Sequence, residues 1–225
     1  MSAYFVTATG TDIGKTFVTR GLIRALQARG RAVAALKPVM SGFEPGEAAG
    51  SDAGLLLAAL GRPVTPETIA EISPWRFAAP LSLDMAAARE GRRLDFAAMI
   101  AFCRDAAAAT RGVLLIEGAG GIMSPVDVDR VVLDWIGDLA VPVILVAGSY
   151  LGTISHTLTA LDVLARRDLA VASLVISETA GSPVRLDETR DAIARFAPHH
   201  DVEAVPRVAP AALDHSAFER VAGRL

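Results

Sequence analysis

The chain has 225 residues, 52% hydrophobic and 21% charged, a composition that fits one well-buried globular domain and excludes a disordered chain. Its 22 basic and 25 acidic residues leave a net charge of −3 and a pI near 5.8, a balance that argues against a protein that coats nucleic acid. One cysteine excludes a disulfide framework and a multi-cysteine zinc site.

Mean hydropathy is +0.41, high enough to ask for a membrane span. The longest strongly apolar stretch runs from Leu139 to Gly148, far short of the roughly 18 residues a spanning helix needs. The first ten residues carry no basic region and turn polar early, which argues against a signal peptide. A soluble, cytoplasmic protein without a membrane partner is expected.

The predicted elements alternate along the chain. Strand 4–7 leads to helix 15–29, and strand 33–36 to helix 53–60. Helix 96–110 precedes strand 113–116, helix 131–139 and strand 141–146. Helix 154–166, strand 170–176 and helix 186–196 follow. The strand runs are continuously apolar, as expected of parallel strands buried on both faces. Strand–helix alternation implies crossovers that cover a sheet on both sides, in a single α/β domain over residues 1–225. Segments 41–50 and 61–80 read as loops within it, and long loops at strand ends often carry function.

The first loop reads Thr7-Ala8-Thr9-Gly10-Thr11-Asp12-Ile13-Gly14-Lys15-Thr16. Its Gly-Lys-Thr ending, between a strand and a helix, has the context of a phosphate loop. Glycine lets successive N–H groups point at a phosphate, and the helix start adds partial positive charge. The lysine reaches outer phosphates, and the threonine hydroxyl is a Mg²⁺ ligand. The strict spacing would place glycine at position 9, where this chain has Thr9. A chance Gly-Lys-Thr at a helix start is the plain alternative.

Lysine usage sharpens the reading. The chain has 20 arginines and two lysines, Lys15 and Lys37. A compact ammonium reaches a crowded phosphate site better than a planar guanidinium. Lys37 ends the second strand, and open α/β sheets bind ligands at strand carboxyl ends. Two acids suit the Mg²⁺ that phosphoryl transfer requires. Asp52 opens a helical pattern, where a helix cap or first-turn acid is the alternative. Glu117 directly follows the apolar strand 113–116 and precedes Gly118-Ala119-Gly120-Gly121. Small residues there permit close approach of a ligand.

Other candidates have simpler readings. His156 suits packing or capping, and His199-His200 lie in a loop without ligand spacing. Cys103 reads as a small core residue, Asp127 and Asp129 as loop acids, and Trp75 and Trp135 as core or dimer contacts.

Taken together, these residues resemble the dethiobiotin synthetases, a family of the phosphate-loop NTPase type. The resemblance spans nearly the whole chain. Phe5-Val6-Thr7, Gly14-Lys15-Thr16, Lys37-Pro38-Val39, Ser41-Gly42, Ser51-Asp52 and Phe77-Ala78-Ala79-Pro80 carry its first part. Glu90-Gly91-Arg92, Glu117-Gly118-Ala119-Gly120-Gly121, Pro142 through Val146 and Leu151 through His156 carry the rest.

The resemblance implies conversion of 7,8-diaminopelargonic acid, CO₂ and ATP to dethiobiotin, ADP and phosphate, through a carbamate and a carbamic-phosphoric anhydride. It implies catalytic roles for Lys15, Lys37 and Thr11. Thr16, Asp52 and Glu117 would hold Mg²⁺. Asp12, Ile13, Gly14, Lys15, Thr16 and Phe17 would contact nucleotide. Ser41, Glu117 and Gly118 to Gly121 (with Ala119 and Gly120 between) would contact substrate. The family is homodimeric, so Gly152, Thr153 and Ser155 would receive the substrate tail carboxylate from a second subunit. The base pocket would comprise Ser177, Glu178, Pro206, Arg207 and Val208. The family commonly carries Asn-Asp where this chain has Ser177-Glu178. A serine hydroxyl cannot pair with adenine as an amide does, so weakened base selectivity is expected. A partitioning-type regulatory ATPase is the alternative function. Those proteins carry an extra lysine early in the loop, where this chain has Thr9 and Gly10.

Overall fold

A computed structural model describes residues 2–207, 213 and 215–225. Its strands are β1 (Ser2–Ala8), β2 (Val33–Leu36), β3 (Val39–Met40), β4 (Trp75–Arg76), β5 (Val113–Glu117), β6 (Val143–Ala147), β7 (Val171–Ser177) and β8 (Val202–Val205). Its α-helices are α1 (Lys15–Ala28), α2 (Asp52–Ala59), α3 (Pro66–Ile72), α4 (Leu83–Arg89), α5 (Phe96–Ala109), α6 (Val132–Leu139), α7 (Thr153–Arg166), α8 (Leu186–Phe196) and α9 (Ser216–Ala222).

Six strands form one parallel sheet in the order β2-β5-β1-β6-β7-β8. The chain leaves β1 for β2 on one side and later reaches β6 on the other. The order therefore reverses beside β1, and the crevice at its carboxyl end is where such sheets bind ligands. β5 and β6 are buried throughout, which accounts for their unbroken apolar sequence. Consecutive residues of β1 face opposite layers. Tyr4 donates its hydroxyl to Leu225 O behind α9, whereas Phe5 meets Trp135 of α6 edge to face. Cys103 is buried, and its thiol pKa is pushed up to about 12 by burial, consistent with an inert core residue.

The structure corrects three sequence expectations. Segment 61–80 is not all loop: it holds α3 and β4. Thr65 and Thr68 cap α3 reciprocally and Pro66 opens it, a local start signal strong enough to outweigh the loop-like composition. Segment 41–50 contains the 3₁₀ turn Pro45–Gly50. The strand expected at 141–146 starts at Val143, because Pro142 has no N–H for a ladder. β8 was not expected, since Glu203 interrupts its apolar pattern. That carboxylate is paired to Arg220 and Arg224 from the C-terminal segment, at 2.8 and 3.1 Å.

α1 packs against α9 at a contact that only glycine permits. A Cβ on Gly21 would lie 2.3 Å from the Phe218 ring. Alanine ordinarily stabilises a helix by about 1 kcal/mol relative to glycine. Here overpacking, which costs about 1–3 kcal/mol, is expected to outweigh that gain. Gly21→Ala should lower the urea midpoint with an unchanged slope; a raised midpoint would contradict the packing argument.

Candidate functional site

The loop between β1 and α1 turns through two left-handed residues, Asp12 at φ 56° and Gly14 at φ 102°. Gly14 caps α1 without a side chain, and the first turn of α1 carries no acid. The helix N-terminus therefore presents backbone donors and partial positive charge to an anion. A Cβ on Gly121 would lie 2.9 Å from Gly10 Cα, so the loop after β5 lies directly on the phosphate loop.

Lys37, Asp52, Glu117 and Thr16 converge from β2, α2, β5 and α1. Lys37 is 2% exposed and Glu117 fully buried. Lys37 Nζ donates to Glu117 Oε1 and Gly118 O, both at 2.9 Å, and lies 2.8 Å from Asp52 Oδ2. Thr16 Oγ1 stands 2.8 Å from both Asp52 Oδ1 and Glu117 Oε1. One hydroxyl proton can serve only one of those oxygens. Glu117 Oε2 is buried without a hydrogen-bond partner. This surplus of acceptors has the donor chemistry of a Mg²⁺ site: hard oxygens, few protein ligands and room for phosphate and water. Among the described residues no cluster of three His, Cys, Asp or Glu forms a richer metal site.

Electrostatics follow from burial and pairing. Burial alone would push Lys37 down, but Glu117 and Asp52 outweigh it and hold its pKa above the ordinary lysine range. Desolvation pushes Asp52 up, but Lys37 and the Thr16 hydroxyl bring its carboxyl below its ordinary value. Lys15 moves the other way. Burial and then the Lys37 charge lower it to about 8, against the opposing pull of Glu117, Asp52 and Asp12. Its contact to Gly10 O is 3.4 Å, at the long limit of a hydrogen bond.

Two cavities flank the loop. The first, about 650 Å³, is lined by Thr11, Asp12, Gly14, Lys15, Thr16, Lys37, Ser41, Asp52, Ala119 and Gly120 among the expected residues. Gly118 faces Lys37 through its carbonyl, and Gly121 acts by its packing. Sequence reading missed Met40, the segment 80–83, Ser124 and Pro125 as wall residues. Of these, Pro80 belongs to the Phe77-Ala78-Ala79-Pro80 run that carries the family resemblance.

The second cavity, about 680 Å³, gathers Asp12, Ile13, Gly14, Phe17, Ser177, Glu178 and Arg207. Arg20, Thr179 and Ala180 join it unforeseen. Ser177 lies against the phosphate loop, where a Cβ on Gly14 would stand 2.6 Å from its Oγ. Glu178 Oε2 accepts from Arg207 N at 2.7 Å, tying the ends of β7 and β8 together. Pro206 leads into that wall without lining it. Val208 lies outside the described residues.

Gly152, Thr153 and Ser155 line neither cavity of their own chain. They open α7, with Gly152 as its cap at φ 97°. Thr153 is engaged internally: its N–H donates to Tyr150 O and its hydroxyl to Gly148 O. His156 is exposed and does not cap α7, whose cap is Gly152, while the loop acids stand as read. His156 Nδ1 meets Tyr150 Oη at 2.8 Å, and Asp127 Oδ1 accepts from Asp129 N and Arg130 N in a loop turn.

A parallel α/β sheet with a glycine-lysine-threonine loop at its switch point defines a phosphate-loop NTPase-type protein. Solved structures agree on the fold. A ParA family ATPase from Chlorobium tepidum TLS matches with TM-score 0.57 at 13% identity, covering 100% of this chain and 99% of that one. The cell division ATPase MinD of Pyrococcus furiosus matches with TM-score 0.55 at 16% identity, covering 100% and 98%. A family model described as an AAA domain matches residues 2–212.

Sequence relatives are more specific. The ATP-dependent dethiobiotin synthetase BioD of Methylobacterium nodulans is 51% identical over 202 residues, covering 88% of this chain and 90% of its own. The protein of the same name from Phenylobacterium zucineum is 47% identical over 227 residues, covering 100% and 97%. The chain belongs to the dethiobiotin synthetase family, whose members are ATP-dependent enzymes.

Two outcomes follow. A bound polyphosphate raises the pKa of Lys15 from about 8, so binding above that pH takes up a proton. Affinity for a non-hydrolysable ATP analogue should fall as pH rises through 8, with the proton uptake read by calorimetry in two buffers of different ionisation heat. Constant affinity from about pH 7 to 10 would contradict this. The second cavity offers a carboxylate and a hydroxyl, Glu178 and Ser177, where the resemblance expects an amide to meet the base. GTP and CTP should therefore support kcat/KM within about tenfold of ATP, and an ATP preference of about a hundredfold would exclude it.

Proposed function

We propose that this protein closes the ureido ring of dethiobiotin from 7,8-diaminopelargonic acid, CO₂ and ATP. One observation carries the reading most. The chain's only two lysines line one cavity with Thr16 and Asp52, and Glu117 Oε1 lies 2.9 Å from Lys37 Nζ and 2.8 Å from Thr16 Oγ1.

One amine of the substrate adds to CO₂ and loses a proton, giving a carbamate. A carbamate oxygen attacks the γ-phosphorus, and ADP leaves with the electron pair of the broken bond. The second amine attacks the resulting carbamic-phosphoric anhydride, expelling phosphate, losing a proton and closing the ring. Each step develops or moves negative oxygen charge, so positioning and electrostatics supply the catalysis. Lys37, held charged by its two carboxylates, faces the carbamate and the transferring phosphoryl group. Lys15 and the N–H groups of Gly14 through Thr16 hold the outer phosphates. Thr11 and Ser41 hydroxyls donate to carbamate or phosphate oxygens, and the 118–121 backbone approaches the diamine.

Thr16, Asp52 and Glu117 would hold Mg²⁺, which supplies charge neutralisation between the phosphates when bound. Asp12, Ile13 and Phe17 border the nucleoside, and Ser177, Glu178 and Arg207 border its base. In a homodimer, the tail carboxylate would meet the start of α7 in the second copy, through Gly152 and Ser155. Among the described residues no helix is long and apolar enough to cross a membrane.

The deciding experiment supplies the diamine, bicarbonate, Mg²⁺ and ATP and follows products by mass. Dethiobiotin should form with equimolar ADP, and Lys37→Ala should lower kcat by about 10²–10³-fold. ATP hydrolysis without dethiobiotin would overturn the reading and favour a partitioning-type ATPase.

A further inference from the structure

Glu90, just past α4, reaches back to the extended segment before that helix and closes 78–90 into a ring. Phe77 is tied inward: its N–H donates to Met40 O, and its carbonyl accepts from Phe43 N, both at 3.0 Å. Ala79 O accepts from Gly42 N at 3.1 Å. Ala78 N–H points the other way, as alternate backbone groups of an extended segment do. It donates to Glu90 Oε1 at 2.7 Å. Glu90 Oε2 accepts from Arg92 Nη1 at 2.8 Å, and the same nitrogen donates to Arg76 O at 3.1 Å. The Arg92 guanidinium lies 4.8 Å over the Phe77 ring. Glu90 and Arg92, just beyond the end of α4, thus fasten the segment that leads into α4.

The fastened segment is functional wall. Pro80, Leu81, Ser82 and Leu83 line the cavity that holds Lys15, Lys37 and Ser41. None of residues 77–92 lines the base cavity. The 80–83 wall offers aliphatic surface and one hydroxyl, which suits a hydrocarbon chain better than a triphosphate. An exposed ion pair alone contributes little to stability. Here the carboxylate also holds a backbone N–H, so its loss would shift the wall.

We infer that Glu90 and Arg92 are positioning residues that set the 80–83 wall for the organic substrate and not for the nucleotide. The inference rests on the reaction proposed above.

The test compares Glu90→Ala, Glu90→Gln and wild type. Glu90→Ala should raise KM for the diamine about tenfold or more, with KM for ATP within about twofold. Glu90→Gln keeps an oxygen acceptor for Ala78 N–H and should stay within about threefold of wild type. Hydrogen exchange of the 77–83 amides should quicken in Glu90→Ala and not in Glu90→Gln. Equal changes in both KM values, no change in either, or a loosened wall with unchanged diamine KM would overturn the inference. Absence of dethiobiotin from wild type would overturn the proposed reaction instead. Exchange then judges the clamp alone, and unchanged exchange in Glu90→Ala overturns it.

Discussion

A lysine ammonium buried at the carboxyl end of β2 cannot stand without compensation. Lys37 is only 2% exposed, and its partners come from two other places in the chain. Glu117 ends β5, Gly118 begins the loop after it, and Asp52 opens α2. Removing one partner of such a buried pair commonly costs about 3–5 kcal/mol, because the remaining charge is stranded. β2, β5 and α2 must therefore dock in one register. Thr16 joins the same carboxylates and brings in α1 and the phosphate loop.

The parallel sheet makes that convergence possible. β5 lies between β1 and β2, so Glu117 emerges between the phosphate loop and Lys37. The loop after β5 must then pass over the phosphate loop, and Gly121 allows a backbone approach that any side chain would block. The two lysines are driven apart in character by this arrangement. Lys37 is held charged by direct pairing, whereas burial and the neighbouring Lys37 charge lower Lys15 to about 8. An anion entering the cavity would add a direct charge partner for Lys15, whose present contact is Gly10 O at 3.4 Å.

The site was legible where its chemistry is contiguous. Thr11 through Thr16 form one loop, Glu117 through Gly121 another, and both carry residue types uncommon at the ends of buried strands. Lys37 was legible because lysine is so scarce here. The 80–83 wall and Ser124 were not, because leucine, proline and serine line cavities and loops alike, and nothing in their spacing marks a ligand. α3 was obscured by the Gly- and Pro-containing segment around it, although Thr65-Pro66 had the chemistry of a helix start. β8 was hidden by Glu203, whose burial depends on arginines that follow it by 17 and 21 positions.

The sequence by itself determined the strand–helix alternation, the buried parallel strands and the phosphate loop, since each is written within some ten consecutive residues. It also sufficed to indicate the family, through the order and spacing of those motifs. Only the tertiary structure decided which charges meet. Thr16 and Glu117 are separated by 101 positions and Lys37 and Glu117 by 80, yet each pair stands within 3 Å. It also decided that Glu90 fastens Ala78, and that the start of α7 lies outside the two cavities that flank the phosphate loop. Such pairings follow from strand order and from the close packing of helices on the sheet, which no local pattern specifies.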